Sequence, residues 1–177
     1  MPPDDSPMDN APSTHSPEII LPLKRFMLIE ACPPDWRRLD LYLFRDEEIV
    51  FYVGQSYVAF DRVWEHICNG FRWRSTVGRF ILCNWPVSLK FTIELINSRS
   101  PRFASLNHDL NAAEQALIRQ YSPCFNETLN STPTPLPARY IPPNARLRCS
   151  RSLNRLVHEA ERAVQADEKR LVLKELG

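Results

Sequence analysis

Apolar residues recur along this chain with two different periods, and the switches between them mark the elements. From Asp40 the order is Leu-Tyr-Leu-Phe, a polar Arg-Asp-Glu-Glu, then Ile-Val-Phe-Tyr-Val-Gly, two β-rich runs about a turn that predict a hairpin. Phe60, Val63, Trp64 and Ile67 follow the i, i+3, i+4, i+7 rule, which predicts an amphipathic helix over 58–69. Gly70 then stands where a left-handed C-cap would, and Arg62, His66 and Asn69 fall on the polar face. Ser75 or Thr76 caps a second short helix that runs to Cys83 and stops at Asn84-Trp85-Pro86. Leu89 to Ile96 alternates as a half-buried strand, and Asn107 to Asn111 offers N-caps for a helix to about Tyr121, ended by Ser122-Pro123. The order β-β-α-α-β-α gives an α+β fold, a small three-stranded, mainly antiparallel sheet flanked by helices. Residues 152–176 add a C-terminal helix with Leu153, Leu156, Val157, Ala160, Val164, Leu171 and Leu176 on one side; Asp167 and Lys174 break a strict heptad. Phe26-Met27-Leu28-Ile29 reads either as an extra edge strand or as a segment packed on the domain.

Proline and charge set the boundaries. Of 16 prolines, eight lie in residues 2–34 and five in 133–143, so the folded unit is the stretch between. Residues 1–35 carry two bases and six acids, whereas 139–177 carry nine and five. This divides the 177 residues into an acidic, Pro-rich arm at 1–18 expected to be disordered, an extension at 19–38 packed on the domain, a domain at 39–130, a Pro-rich linker at 131–150 and a basic amphipathic helix at 151–177. No run approaches the roughly 20 apolar residues of a membrane span, and the start lacks the pattern of a signal peptide. The expectation is an intracellular protein, cytoplasmic or nuclear, with no membrane partner. Cys32, Cys68, Cys83, Cys124 and Cys149 form no CxxC pair and read as buried reduced thiols. Without a secretory signal, the glycosylation sequons at Asn126 and Asn130 read as chance matches. His15, His108 and His158 lack partners at metal spacing, and neither a Gly-rich phosphate loop nor a nucleophile elbow is present.

Several polar residues invite a chemical reading. Tyr42 and Tyr52 lie on opposite arms of the hairpin, where register decides whether they meet. Gly54 lets a backbone come close to a phosphate or simply closes a strand. Arg62 and His66, four apart, can hold one anionic group together, although Asp61 or Glu65 also suits Arg62 as a partner. Glu114 leans toward the apolar side of its helix and needs a partner; with Asn111 as N-cap it would be the N3 member of a capping box. From Asp61 to Arg102, Arg62, Arg72, Arg74, Arg79, Lys90, Arg99 and Arg102 face only three acids, and Phe71, Trp73 and Trp85 interleave with them, as nucleic-acid tracking and stacking require; core packing of the aromatics is the plainer alternative.

In order, Asp40-Leu41-Tyr42, Tyr52-Val53-Gly54-Gln55-Ser56, Arg62 with His66, Glu114, and Pro123-Cys124-Phe125-Asn126 resemble the successive motifs of the GIY-YIG nucleases over about residues 39–128, with Asp40 and Leu41 where the family has glycine and isoleucine. The resemblance implies hydrolysis of a phosphodiester, in DNA with RNA left open, around one Mg²⁺ or Mn²⁺. It implies Glu114 as the single protein carboxylate on the metal and Arg62 on the charge of the phosphorane. Tyr42 or Tyr52 would orient or deprotonate water, with His66 in support and Asn126 bracing the site. Gly54, Arg72, Arg74, Arg79 and Lys90 are the nucleic-acid contacts on this reading. Two other readings stand beside it: a binding or protein-interaction module on the same fold without turnover, and an accessory subunit that assembles through its C-terminal helix.

Overall fold

A computed structural model describes residues 18–147 and 152–177. Expectations for residues 1–17 and for Cys149 lie outside that range. The architecture is α+β, and the sheet has four antiparallel strands rather than three. Strand β1 (Ile19–Pro22) pairs with the last strand, β4 (Thr92–Ile96), which pairs in turn with β2 (Leu41–Arg45), and β2 with β3 (Val50–Gln55). The extra edge strand is therefore Ile19–Pro22, not Phe26–Ile29. The chain leaves β1 into a single helical turn, α1 (Leu23–Phe26), where Leu23, Phe26 and Met27 are buried. Pro22 cannot donate to a ladder, which suits it to an edge.

The hairpin forms as its pattern requires. Asp46 closes the turn by accepting the backbone N–H groups of Glu48 and Ile49 at 2.8 and 2.7 Å. Between Phe44 and Arg45 the register shifts, so that Tyr52 pairs with Phe44 and Val50 with Arg45. Phe51 is the extra residue of that bulge, and it enters the same core as Phe44, against Phe80 and Phe91.

Helix α2 (Ala59–Gly70) and helix α3 (Thr76–Cys83) cover this face of the sheet, and helix α4 (Leu110–Tyr121) covers the other with Ala113, Leu117 and Ile118. Gly70 is not a left-handed cap: it is the last residue of α2, and no described glycine has positive φ. Its role is spacing. A Cβ on Gly70 would come within 2.6 Å of the Gly78 carbonyl carbon, and one on Gly78 would overlap the His66 carbonyl oxygen. The two glycines let α2 and α3 touch backbone to backbone. Ser75 starts α3, its side chain accepting the Gly78 N–H at 3.0 Å.

Residues 131–147 run along the domain. Tyr140 packs edge-on against Phe51, Phe80 and Phe91 and donates its hydroxyl to Asp46, and the Asn84 side chain bonds both the N–H and the carbonyl of Ile141. Helix α5 (Leu153–Glu175) then lies against α1, burying Leu156, Ala160 and Val164 and pairing Asp167 with Lys24. Only the first half of its apolar stripe is used, because Leu171 and Leu176 are exposed.

Since the atom facing Gly78 is backbone, Gly78→Ala should destabilise the fold by at least about 2 kcal/mol, the cost of overpacking a rigid contact. A fall in the urea midpoint at unchanged m-value is the expected result; an unchanged midpoint would show that the helices can separate freely.

Candidate active site at the edge of the hairpin

Register brings the two tyrosines together. Tyr42 pairs with Gly54 and Phe44 with Tyr52, so Tyr42 and Tyr52 are diagonal neighbours on the face covered by α2, with ring centroids 6.2 Å apart. Glycine at 54 makes this arrangement possible. The Tyr42 ring folds across it, its Cε1 3.0 Å from where a Cβ would stand, and its hydroxyl lies closer still. The space at Gly54 is therefore filled by Tyr42 rather than left for a ligand backbone.

His66 does not face solvent with Arg62. It lies on the inner side of α2, 8% exposed, with its ring over both tyrosines. Nε2 is 2.8 Å from the Tyr42 hydroxyl and Nδ1 is 2.7 Å from Ser75 Oγ. Burial, reinforced by the Arg62 charge, lowers the His66 pKa to about 4, so the ring is neutral at pH 7. Burial also raises both tyrosines above their ordinary value, and the neighbouring Arg62 pulls each of them back in part. Arg62 itself is exposed and donates to Glu65, one turn along the helix.

Glu114 approaches from α4, on the other side of the sheet. The cap of α4 is Asp109, which accepts the Ala112 N–H at 2.7 Å, so Glu114 is not the partner in a capping box begun by Asn111. Its carboxylate accepts from Gln55 Nε2 at 2.8 Å, and the same amide donates to Asn111 Oδ1 at 2.7 Å. Burial raises the Glu114 pKa and this one hydrogen bond offsets it only in part. The carboxylate is left short of positive charge.

A cavity of about 340 Å³ opens at the outer edge of β3, lined by Tyr52, Thr76, Glu114, Phe125, Asn126 and Glu127 among others. Asn126 braces that edge: its Oδ1 accepts the Val53 N–H and its Nδ2 donates to the Val53 carbonyl, both at 2.9 Å. Asp40 is engaged elsewhere, accepting the N–H and the hydroxyl of Ser98 at 2.8 and 2.6 Å.

The basic stretch is only partly free. Arg79, expected to contact nucleic acid, is 3% exposed; it lies under the face of Trp73, 3.0 Å from the ring centroid, and donates to the Ala145 carbonyl. Trp85 gives its ring N–H to Glu159, and Phe71 packs on the core, so Trp73 is the exposed aromatic of the three. Arg72, Arg74 and Lys90 are exposed. Of the four described cysteines, all free, Cys32, Cys83 and Cys124 are partly buried, whereas Cys68 is exposed.

No protein-family model, curated protein or solved structure matches the chain. The sequence nominates Ser75 only as a cap, quotes Gln55 within a motif without a role, and leaves Glu127 out. A signal existed for Gln55, which follows Gly54 in a strand that alternates toward α4, whereas Glu127 sits in a loop with no periodicity to orient it.

A buried neutral histidine makes stability pH-dependent. The fold lowers the His66 pKa from 6.5 to about 4, so its contribution is complete above pH 6.5 and is lost as the pH falls toward 4, by up to about 3 kcal/mol. Urea titrations from pH 7 to 4 should show wild type losing this increment relative to His66→Gln; parallel curves would mean that folding leaves the pKa of the ring unchanged.

Proposed function

We propose that the chain is a metal-dependent endonuclease of the GIY-YIG type, acting on DNA, with RNA as the other substrate to be tried. One observation carries this reading: Tyr52 of β3, Glu114 of α4 and Asn126 of the following loop line one cavity, and Tyr42 of β2 and His66 of α2 pack behind its Tyr52, although these residues lie as far apart in sequence as Tyr42 and Asn126. Both tyrosines feel the charges of Arg62 and of Glu114.

The donor set fits a hard divalent ion. Glu114 is partly buried and incompletely compensated, and Glu127 lines the same cavity, so added positive charge would be stabilising there. Among the described residues no three His, Cys, Asp or Glu side chains gather. On this reading Glu114 alone would hold Mg²⁺ or Mn²⁺, with water and phosphate oxygens completing the shell. When bound, the ion would supply Lewis-acid polarisation of a phosphate oxygen and of water.

The chain's own groups divide the remaining work. Arg62 is exposed on α2, where exchanging Glu65 for a scissile phosphate would let its guanidinium offset charge that builds in the transition state. Tyr52, at the cavity wall, orients water; the rings of Tyr42 and His66 pack behind it and hold it in place. Asn126 keeps β3 in place. Arg72, Arg74 and Lys90 remain available to the substrate backbone, with the free face of Trp73 beside the two arginines.

Purified protein incubated with plasmid, linear and single-stranded DNA and with RNA, in Mg²⁺, Mn²⁺ or EDTA, tests this. Metal-dependent cutting that falls by roughly 100-fold or more in both Arg62→Ala and Glu114→Gln is expected. Undiminished cutting in Glu114→Gln would remove the metal role, and binding without cutting would leave a nucleic-acid-binding module. The exposed Leu171, Val172, Leu173 and Leu176 at the end of α5 favour a partner contact as the second reading; loss of an oligomer on truncation after Arg170, with no nuclease activity in wild type, would support it.

A further inference from the structure

The hydrogen bonds around His66 have a direction, and the cap of α3 sets it. Ser75 Oγ is buried, 7% exposed, and has two neighbours able to bond it, the Gly78 N–H and His66 Nδ1. The first can only donate. A hydroxyl has one proton to give, and among the described residues His66 Nδ1 is its one acceptor. If Nδ1 carried the ring proton instead, both Ser75 lone pairs would be filled by N–H groups and the buried hydroxyl proton would have nowhere to go, a costly state. We propose that Ser75 is a positioning residue that donates to Nδ1 and so fixes His66 as the Nε2–H tautomer, which donates to the Tyr42 oxygen.

The consequence passes outward. With its oxygen receiving His66 Nε2–H, Tyr42 keeps its own proton to give outward, on the side where the Tyr52 ring packs with its centroid 6.2 Å away. The hydrogen bonds run from Ser75 to His66 to Tyr42, and the Tyr42 ring packs on Tyr52, the tyrosine that lines the cavity. Tyr52, not Tyr42, is thus the group presented to a substrate. That His66 is neutral, with one ring proton to place, agrees with its lowered pKa. The catalytic meaning of the series rests on the nuclease reading, whereas the tautomer does not.

Long-range ¹H–¹⁵N correlation spectra of the ¹⁵N-labelled full chain at pH 7, with His66 assigned by its loss in His66→Gln, read the tautomer directly. The expected result is a pyrrole-type Nε2 and a pyridine-type Nδ1, with the Nε2–H form favoured at least about tenfold. Ser75→Thr should keep that pattern. Ser75→Asp keeps an acceptor for Gly78 N–H but has no proton to give, and should move the ring proton to Nδ1. Wild type protonated on Nδ1, or an even mixture of tautomers, overturns the proposal, as does Ser75→Asp with the proton still on Nε2. If Ser75→Asp does not fold, the wild-type spectrum decides alone. Any nuclease activity should survive in Ser75→Thr and fall in Ser75→Asp; an inactive wild type with the expected spectrum defeats the nuclease reading and leaves the tautomer assignment standing.

Discussion

The backbone contact between α2 and α3 is the constraint from which the site follows. Two helices with ordinary side chains at the crossing stay 8–10 Å apart between axes, and glycine at 70 and 78 removes that spacing. Because Gly78 sits under the His66 carbonyl, the first turn of α3 is brought to the middle of α2. Its capping serine then reaches a histidine ring nine residues earlier. The same Oγ that satisfies an exposed helix terminus elsewhere is here buried and shared. Local helix chemistry and the polar cluster under the sheet become one hydrogen-bonded unit.

On the strand side, a second glycine has the matching effect. Gly54 gives up its side-chain volume so that the Tyr42 ring can lie across the hairpin and put its hydroxyl beside His66. Size rather than backbone freedom is what these positions require, since none of the three glycines has positive φ. The polar cluster is otherwise enclosed by Phe44 and by the aromatic core, which explains why its titrating groups all shift toward their neutral forms.

Much of this fold can be read from the chain. The periods of α2, α3 and α4 and the alternation of β2 and β3 are strong because each element buries one face. Strand β1 is weak as a signal: Ile19, Ile20, Leu21 and Pro22 are a short run ending in proline, and its pairing with β4 joins residues some 70 positions apart. The larger misreadings concern polar residues inside. His66 and Arg79 occupy buried helix positions, but residue type suggested solvent, and only the three-dimensional supply of Ser75, Tyr42, Trp73 and the Ala145 carbonyl makes their burial affordable. Likewise Gly70 lies where a terminating glycine usually does, and nothing in one sequence separates a cap from a spacer. The Glu114 cap was decided by Asp109, one of several equivalent candidates. Tyr42, Tyr52, Glu114 and Asn126 could be nominated, yet whether they meet depended on register and on the path of the loop after α4.

That loop has another effect on how the molecule behaves among its own copies. Strand β3 is the end of the sheet, and an uncovered ladder of N–H and C=O groups there would act as a template for a strand from a neighbouring chain. Cys124 and Phe125 occupy the ladder with their backbone, and the Asn126 amide then imitates one further peptide group at Val53. The side chain nominated for chemistry therefore also closes the border of the sheet to templated growth, and replacing it would expose an adhesive margin as well as loosen the site.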